Sequence, residues 1–323
     1  MRTVIEARRG AGRLIGWLPM LIALLLLASL PDRTRAASGT PLRVFACEPE
    51  WAGLVRILAP EAQIFVATHE AQDPHEIEAR PALISALRRA DLAVCTGAAL
   101  ESGWLPTLQQ RAGNPRVLPG AAGLFFAADG LTLLEDAHHH PNRQRGHVHA
   151  EGNPHFHLDP RLYAEVAKRL AERLGRLDPP AQATYLERYR AWRMDWDRLT
   201  AELAAAARPL FGLAVITEHS TFAYLFRWLE IYQSADLEPV PGVPPTMSHL
   251  KLLEGRARDD PPAAIVQALY HNAQSGRWLS ERLGKPHLRL PSTLTADGPS
   301  ARPEGLLRQL VETLLEHLRP HSS

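Results

Sequence analysis

Residues 42–68 read LRVFACEPEWAGLVRILAPEAQIFVAT. The apolar run LRVFAC (42–47) predicts a strand, EWAGLVRILA (50–59) a helix and QIFVAT (63–68) a second strand. Strands that alternate with helices of about ten residues pair in parallel through right-handed crossovers, so the chain starts as an α/β unit. The pattern continues with a helix at PALISALRRA (81–90) and a strand at DLAVCTG (91–97). It resumes far downstream. LAVIT (213–217) predicts a strand, TFAYLFRWLEI (221–231) a helix and SADLEPV (234–240) a strand. PTMSHLKLLEGRARD (245–259), AIVQALY (264–270), a helix near Gln274–Leu283, HLRLPS (287–292) and a final helix, GLLRQLVETLLEHL (305–318), complete the series.

Between the halves an amphipathic helix, DPRLYAEVAKRLAERLGRL, is followed by a longer one that starts at PPAQATYLERYRAWRMDWDRLTAELAAAARPL. Tyr185, Tyr189, Trp192, Trp196, Leu199 and Leu203 are spaced 4, 3, 4, 3, 4 and draw one apolar stripe, expected to pack in the core. About 28 residues at ~1.5 Å each give about 40 Å, more than a small domain needs. Two α/β halves joined by one long helix place their ligand-binding loops at the carboxyl ends of the strands. The cleft between the halves is therefore the expected site.

The chain has 323 residues, 46% hydrophobic and 22% charged, a globular composition. Arg2, Arg8, Arg9 and Arg13 precede an apolar run from Leu14 to Leu30, with small residues at Ala36 and Ala37. This describes a secretory signal peptide over 1–36, and Pro19 and Pro31 argue against a permanent anchor. Residues 1–36 carry six arginines against two acidic residues, so cleavage turns the formal +1 of the whole chain into −3. A slightly acidic mature protein has no electrostatic footprint for nucleic acid. Cys47 and Cys95 each end a predicted strand. An exported chain can oxidise them to a disulfide if those strands are neighbours; two buried thiols is the other reading.

Seven of the fifteen histidines fall in HHHPNRQRGHVHAEGNPHFHLDP (138–160). Outside that stretch, ATHEAQDPHEIEARP (67–81) carries His69 and His75 after the second strand, and ITEHSTFAYLF (216–226) carries His219 after the first strand of the second half. GNPHFHLDP (152–160) carries His155 and His157 just before a helix. All lie at the expected cleft edge. Neutral imidazole is the commonest metal ligand near pH 7, and three of them with a water or one oxygen suit Zn²⁺.

The runs DPHEIEARP, ADLAVCTGAALESGWLP, NPHFHLDP, TEHSTFAYLFRWLEI and LEPVPGVPPT, in that order, resemble the cluster A-I solute-binding proteins, the periplasmic zinc- and manganese-binding components of ABC importers. The resemblance spans Leu42 to about Leu318. It implies two similar lobes, each with a parallel sheet flanked by helices, joined by one rigid long helix, with a metal site in the inter-lobe cleft. The corresponding boundaries are an N-terminal lobe over 41–178 with a histidine-rich loop at 136–152, a linking helix over 179–209 and a C-terminal lobe over 210–320. The resemblance also implies His75, His155 and His219 as ligands, with His157 a close competitor to His155. Expected partners are a divalent ion and an ABC membrane permease, and the expected protein is a periplasmic monomer.

One part of the family pattern is missing. Some members supply a carboxylate from the loop after the last strand, which here reads RLPSTLTADGPSARP. Asp297 is the closest candidate but sits several residues late; Glu218 beside His219 points away if its strand continues; water is the third option. Three imidazoles without a firm carboxylate favour Zn²⁺ over Mn²⁺, because nitrogen ligands suit zinc. A manganese-binding homologue and a periplasmic zinc chaperone or buffer are the alternatives. A zinc hydrolase would need a general base beside the open position, and none stands at matching spacing.

His138, His139, His140, His147 and His149 lie among Pro, Asn, Arg and Gly and are read as a loop for loose metal capture. Deleting 138–149 is expected to leave tight one-to-one binding intact while removing weaker extra sites. Calorimetry on the deleted chain checks this division, and loss of the tight site would overturn it.

Overall fold

The computed structural model describes residues 40–135 and 152–318. The expected export segment and the five loop histidines, His138, His139, His140, His147 and His149, lie outside the described residues. Two four-stranded sheets, each parallel throughout, carry the fold. The first contains β1 (Arg43–Ala46), β2 (Gln63–Val66), β3 (Leu92–Cys95) and β4 (Leu124–Phe126) in the order β2-β1-β3-β4. The second contains β5 (Ala214–Thr217), β6 (Tyr232–Asp236), β7 (Ala264–Ala268) and β8 (His287–Leu290) in the matching order β6-β5-β7-β8.

Burial differs from strand to strand. The central strands β3, β5 and β7 are buried along their whole length, as strands covered on both faces must be. The edge strands β2 and β6 are half-exposed over most of theirs.

Among the described residues the helices are α1 (Pro49–Leu58), α2 (Pro81–Arg89), α3 (Leu105–Ala112), α4 (Pro160–Leu177), α5 (Gln182–Ala206), α6 (Ala223–Leu229), α7 (Met247–Arg256), α8 (Ala273–Leu283) and α9 (Pro303–Leu318). Proline stands in the first turn of α1, α2, α3 and α4, where its missing N–H costs nothing and its fixed φ suits the helix. Asp159, Thr246 and Asn272 cap α4, α7 and α8 by accepting a backbone N–H. Gly113 and Gly284 end α3 and α8 in the left-handed region, at φ +61° and +63°. No described helix is long and apolar enough to cross a membrane.

Two elements escape the sequence pattern: β4 and α3. β4 has three residues, too few to show a period, and α3 has eight. The long helix α5 has 25 residues, about 37 Å at ~1.5 Å each and slightly shorter than expected, and short 3₁₀ turns at Pro179–Ala181 and Arg208–Leu210 flank it. Cys47 and Cys95, which follow or end the paired strands β1 and β3, form a disulfide.

The stripe on α5 packs as expected. Tyr185, Trp192, Trp196, Leu199 and Leu203 are buried and Tyr189 is partly so. Trp192 stacks on Trp196 at 5.1 Å, Trp196 meets Tyr163 of α4 at 5.4 Å, and Tyr163 stacks on Trp51 of α1 at 6.0 Å. Trp51 meets Phe156 at 5.8 Å, and Phe156 meets Tyr224 of α6 at 6.5 Å. This chain of rings runs from the first half of the molecule into the second. Its polar edges are satisfied: Trp196 Nε1 donates to the Pro160 carbonyl at 2.9 Å, Trp51 Nε1 to Thr96 Oγ1 at 2.8 Å and Tyr163 Oη to the Glu50 carbonyl at 2.9 Å. The last helix, α9, returns to pack against α1 and α5, so one hydrophobic cluster serves both halves.

Truncating Trp196 leaves a cavity at the centre of that cluster and removes one of the hydrogen bonds to the Pro160 carbonyl. Trp196→Ala is expected to cost about 3–5 kcal/mol of folding stability. A urea titration should show the midpoint fall with little change in slope.

Candidate metal site

His75, His155 and His219 converge. They are buried, and one ligand atom of each lies within 4.8 Å of those of the other two. Ring centroids are 5.7 Å apart for His75 and His155, 5.5 Å for His75 and His219, and 5.6 Å for His155 and His219. The rings cross at 71°, 82° and 88°, edge to face rather than stacked, as three imidazoles around one point must be. The histidines reach this point from three loops: His75 after the carboxyl end of β2, His219 after that of β5 and His155 just before α4.

Each loop is fixed by a local device. In Asp73-Pro74-His75, Asp73 Oδ1 accepts the His75 backbone N–H at 2.9 Å. In Asn153-Pro154-His155, Asn153 Oδ1 accepts the His155 N–H at 2.8 Å. Both are Asx turns with a proline at the middle position, which pre-sets the backbone. His219 has no Asx two residues back, and Asp236 at the end of β6 supplies the oxygen instead, at 3.0 Å. His219 itself sits in the left-handed region at φ +63°, a strained position for a residue with a Cβ.

Two carboxylates orient the rings. His75 Nδ1 lies 2.6 Å from Asp73 Oδ1, and His219 Nδ1 lies 3.2 Å from Glu238 Oε2. A carboxylate that accepts the Nδ1 proton fixes the tautomer and leaves Nε2 as the donor toward a metal. Glu238 is itself held, accepting the Gly242 N–H at 3.1 Å. Asn153 joins the two halves: its Nδ2 donates to the Ser220 carbonyl at 3.0 Å and its own carbonyl accepts Tyr224 Oη at 2.9 Å.

The other sequence candidates fall elsewhere. His157 is turned away from the group, its Nε2 2.7 Å from the Ser292 carbonyl and its Nδ1 3.5 Å from Glu50 Oε1. His69 is exposed, accepts the Ala71 backbone N–H on Nδ1 at 3.3 Å, and is outside the group. Asp297 lies on an exposed turn where its carbonyl accepts Thr295 Oγ1, and it brings no carboxylate to the three rings. Glu218 departs from expectation in the other direction. Its strand stops at Thr217 and the chain turns at His219, so both residues line the same cleft. The Glu218 carboxylate accepts from Gln267 Nε2 and, at 3.1 Å, from Ser275 Oγ, and burial pushes its pKa up to about 7.

Sequence reading missed Asp73, Asn153, Asp236, Glu238 and His271. The first two carry a legible signal, an Asx-Pro-His triplet repeated at both sites. The others reach the cleft only through pairing of β5 with β6 and β7. His271, after β7, lines the cleft with a pKa lowered to about 3, chiefly by burial and also by its neighbour His219.

Behind the triad lie more buried acids. Burial, with the charges of Glu101 and Glu50, holds Glu48 well above the usual carboxylate range. Burial raises Glu101 to about 7, although N–H groups of Thr96 and Gly97 donate to it and oppose the rise. Between its unfolded pKa and the raised folded one, each carboxyl favours the protonated form more in the fold than in the unfolded chain.

A family profile described as "ZnuA: Zinc-uptake complex component A periplasmic" matches residues 44–317. The "High-affinity zinc uptake system protein ZnuA" of Yersinia pestis is 24% identical over 166 residues, 48% of this chain and 52% of that protein, so the match spans about half of the curated relative. The fold is similar to a crystal structure of ZnuA, at TM-score 0.73 and 23% identity over 86% of this chain and 100% of that one. It is also similar to the solute-binding protein FpvC of Pseudomonas aeruginosa in complex with Mn²⁺, at TM-score 0.71 and 19% identity over 86% and 98% of the two chains.

The unfolded carboxyl of Glu101 ionises near pH 4.5 and the folded one near 7, so stability falls as pH rises through that interval. Glu101→Gln keeps an acceptor for the Thr96 N–H and is expected to flatten the decline. Urea midpoints at pH 5 and pH 8, compared between the two proteins, check it.

Proposed function

Because the chain belongs to the family of periplasmic zinc-uptake components, the cluster A-I solute-binding proteins, we propose that it captures one Zn²⁺ on His75, His155 and His219 and delivers it to the membrane permease of an ABC importer. The family is one of solute-binding proteins rather than enzymes. The observation that carries the reading is the meeting of three buried imidazoles from three separate loops.

Zinc is favoured by the donor set. The three converging groups are imidazole nitrogens, and the carboxylates of Asp73 and Glu238 lie against Nδ1 of His75 and His219. The manganese reading leans on Glu218, an oxygen ligand in the same cleft, although Gln267 and Ser275 already engage it. Competition between Zn²⁺ and Mn²⁺ on one sample separates the two. Export ahead of residue 41 and loose capture by the histidine-rich segment remain parts of the same proposal.

Rigid preorganisation suits capture. The ring nitrogens must lose protons to bind, so affinity should weaken on acidification toward pH 5. His75→Ala or His219→Ala is expected to lower Zn²⁺ affinity by orders of magnitude. Asp73→Asn keeps the Asx turn but loses the carboxylate on Nδ1, and a loss of about 10–100-fold is expected. Calorimetry on the three variants reads both effects, and wild-type affinity in all of them would sink the assignment.

A further inference from the structure

The chain runs into its histidine-rich stretch after Glu135 and leaves it at Gly152. The two stems lie against each other. The Asn153 N–H donates to the Leu134 carbonyl at 2.8 Å, and a Cβ added at Gly152 would stand 2.7 Å from Leu133 Cβ. Tyr224 of α6 completes the contact. Its ring is 2% exposed and meets Phe156. Its hydroxyl accepts the Leu134 N–H at 2.7 Å and donates to the Asn153 carbonyl at 2.9 Å. These hydrogen bonds close a ring through Leu134, Asn153 and Tyr224. A phenol hydroxyl suits the position because it donates and accepts at once.

The same Asn153 sets a ligand. Its Oδ1 accepts the His155 N–H at 2.8 Å, and its Nδ2 donates to the Ser220 carbonyl at 3.0 Å. Ser220 follows His219, and Tyr224 lies on the helix into which that loop leads. The segment bearing His219 therefore grips the segment bearing His155 twice, once at the Asn153 side chain and once at its backbone. Of these two grips, the Tyr224 hydroxyl is the one that also holds the stem arriving from Leu134.

We propose that Tyr224 is a positioning residue for metal retention: its hydroxyl fixes the Asn153 backbone and, through the Asn153 side chain, the aim of His155. The inference rests on the three-histidine reading of the site and adds what keeps one of its rings in place. Without the hydroxyl, Leu134 and Asn153 each lose a partner, the stems part more readily, and His155 is the ligand that follows them. His75 and His219 keep their own backbone holds on Asp73 and Asp236.

Chelator-challenge kinetics on the whole mature chain loaded with one Zn²⁺ test this. Tyr224→Phe keeps the ring and is expected to release zinc about tenfold faster than wild type, with stoichiometry still at one. Tyr185→Phe removes a different hydroxyl, one that donates to Asp178 Oδ2 at 2.9 Å, and its release rate should match wild type. In an Asn153→Ala background, adding Tyr224→Phe should change release by less than about twofold, because the path to His155 is already cut. Wild-type release from Tyr224→Phe, equal acceleration in Tyr185→Phe, or full additivity with Asn153→Ala overturns the inference and leaves the proposed function standing. If Tyr224→Phe does not accumulate as folded protein, hydrogen exchange on the unsubstituted chain decides. The Leu134 N–H is expected to exchange more slowly with zinc bound than without, and equal rates overturn the inference. A wild-type chain that holds no zinc removes the proposed function, and the inference falls with it.

Discussion

The backbone N–H of each converging histidine is held by the side-chain oxygen of an Asx residue: Asp73 for His75, Asn153 for His155 and Asp236 for His219. A side chain aims only as well as its backbone is placed, and these three bonds set the placement. Two are made within a tripeptide stiffened by proline, so they form wherever that sequence is ordered. The third crosses from β5 to β6 and depends on strand pairing. Asn153 contributes twice, because its amide also donates to Ser220, next to His219. Positions of two rings in different halves are thereby coupled through one buried side chain.

Local clamps would aim at nothing if the halves could drift. The ladder of rings from Trp51 through Tyr163, Trp196 and Trp192, and through Phe156 to Tyr224, fills the space between the halves, and α9 closes over it from the far end of the chain. Close-packed interiors deform in discrete rearrangements rather than smooth bends.

Charge is graded across the same region. Glu48 and Glu101, deep in the first half, hold protons because burial disfavours their ionised forms. Asp73 and Glu238 stand beside the rings as hydrogen-bond acceptors, and Glu76 and Glu218 add to the acidic lining of the cleft. Carboxylates and imidazoles thus line one cleft together.

The amino-acid sequence by itself determined the two α/β halves and the long helix between them, because hydrophobic period is a local property, and its ordered motifs offered His75, His155 and His219 as candidates. It also placed the core stripe of α5, since a 3.6-residue repeat of large apolar side chains has few other uses. Short elements such as β4 and α3 carry too few residues to show a period. The choice between His155 and His157, the exposure of Asp297 and the inward turn of Glu218 were decided only in three dimensions. The first and the last depend on contacts across long sequence separation, Ser292 against His157 and Gln267 against Glu218. No spacing along the chain encodes which loops a parallel sheet brings side by side, and it is that pairing which gathers the site.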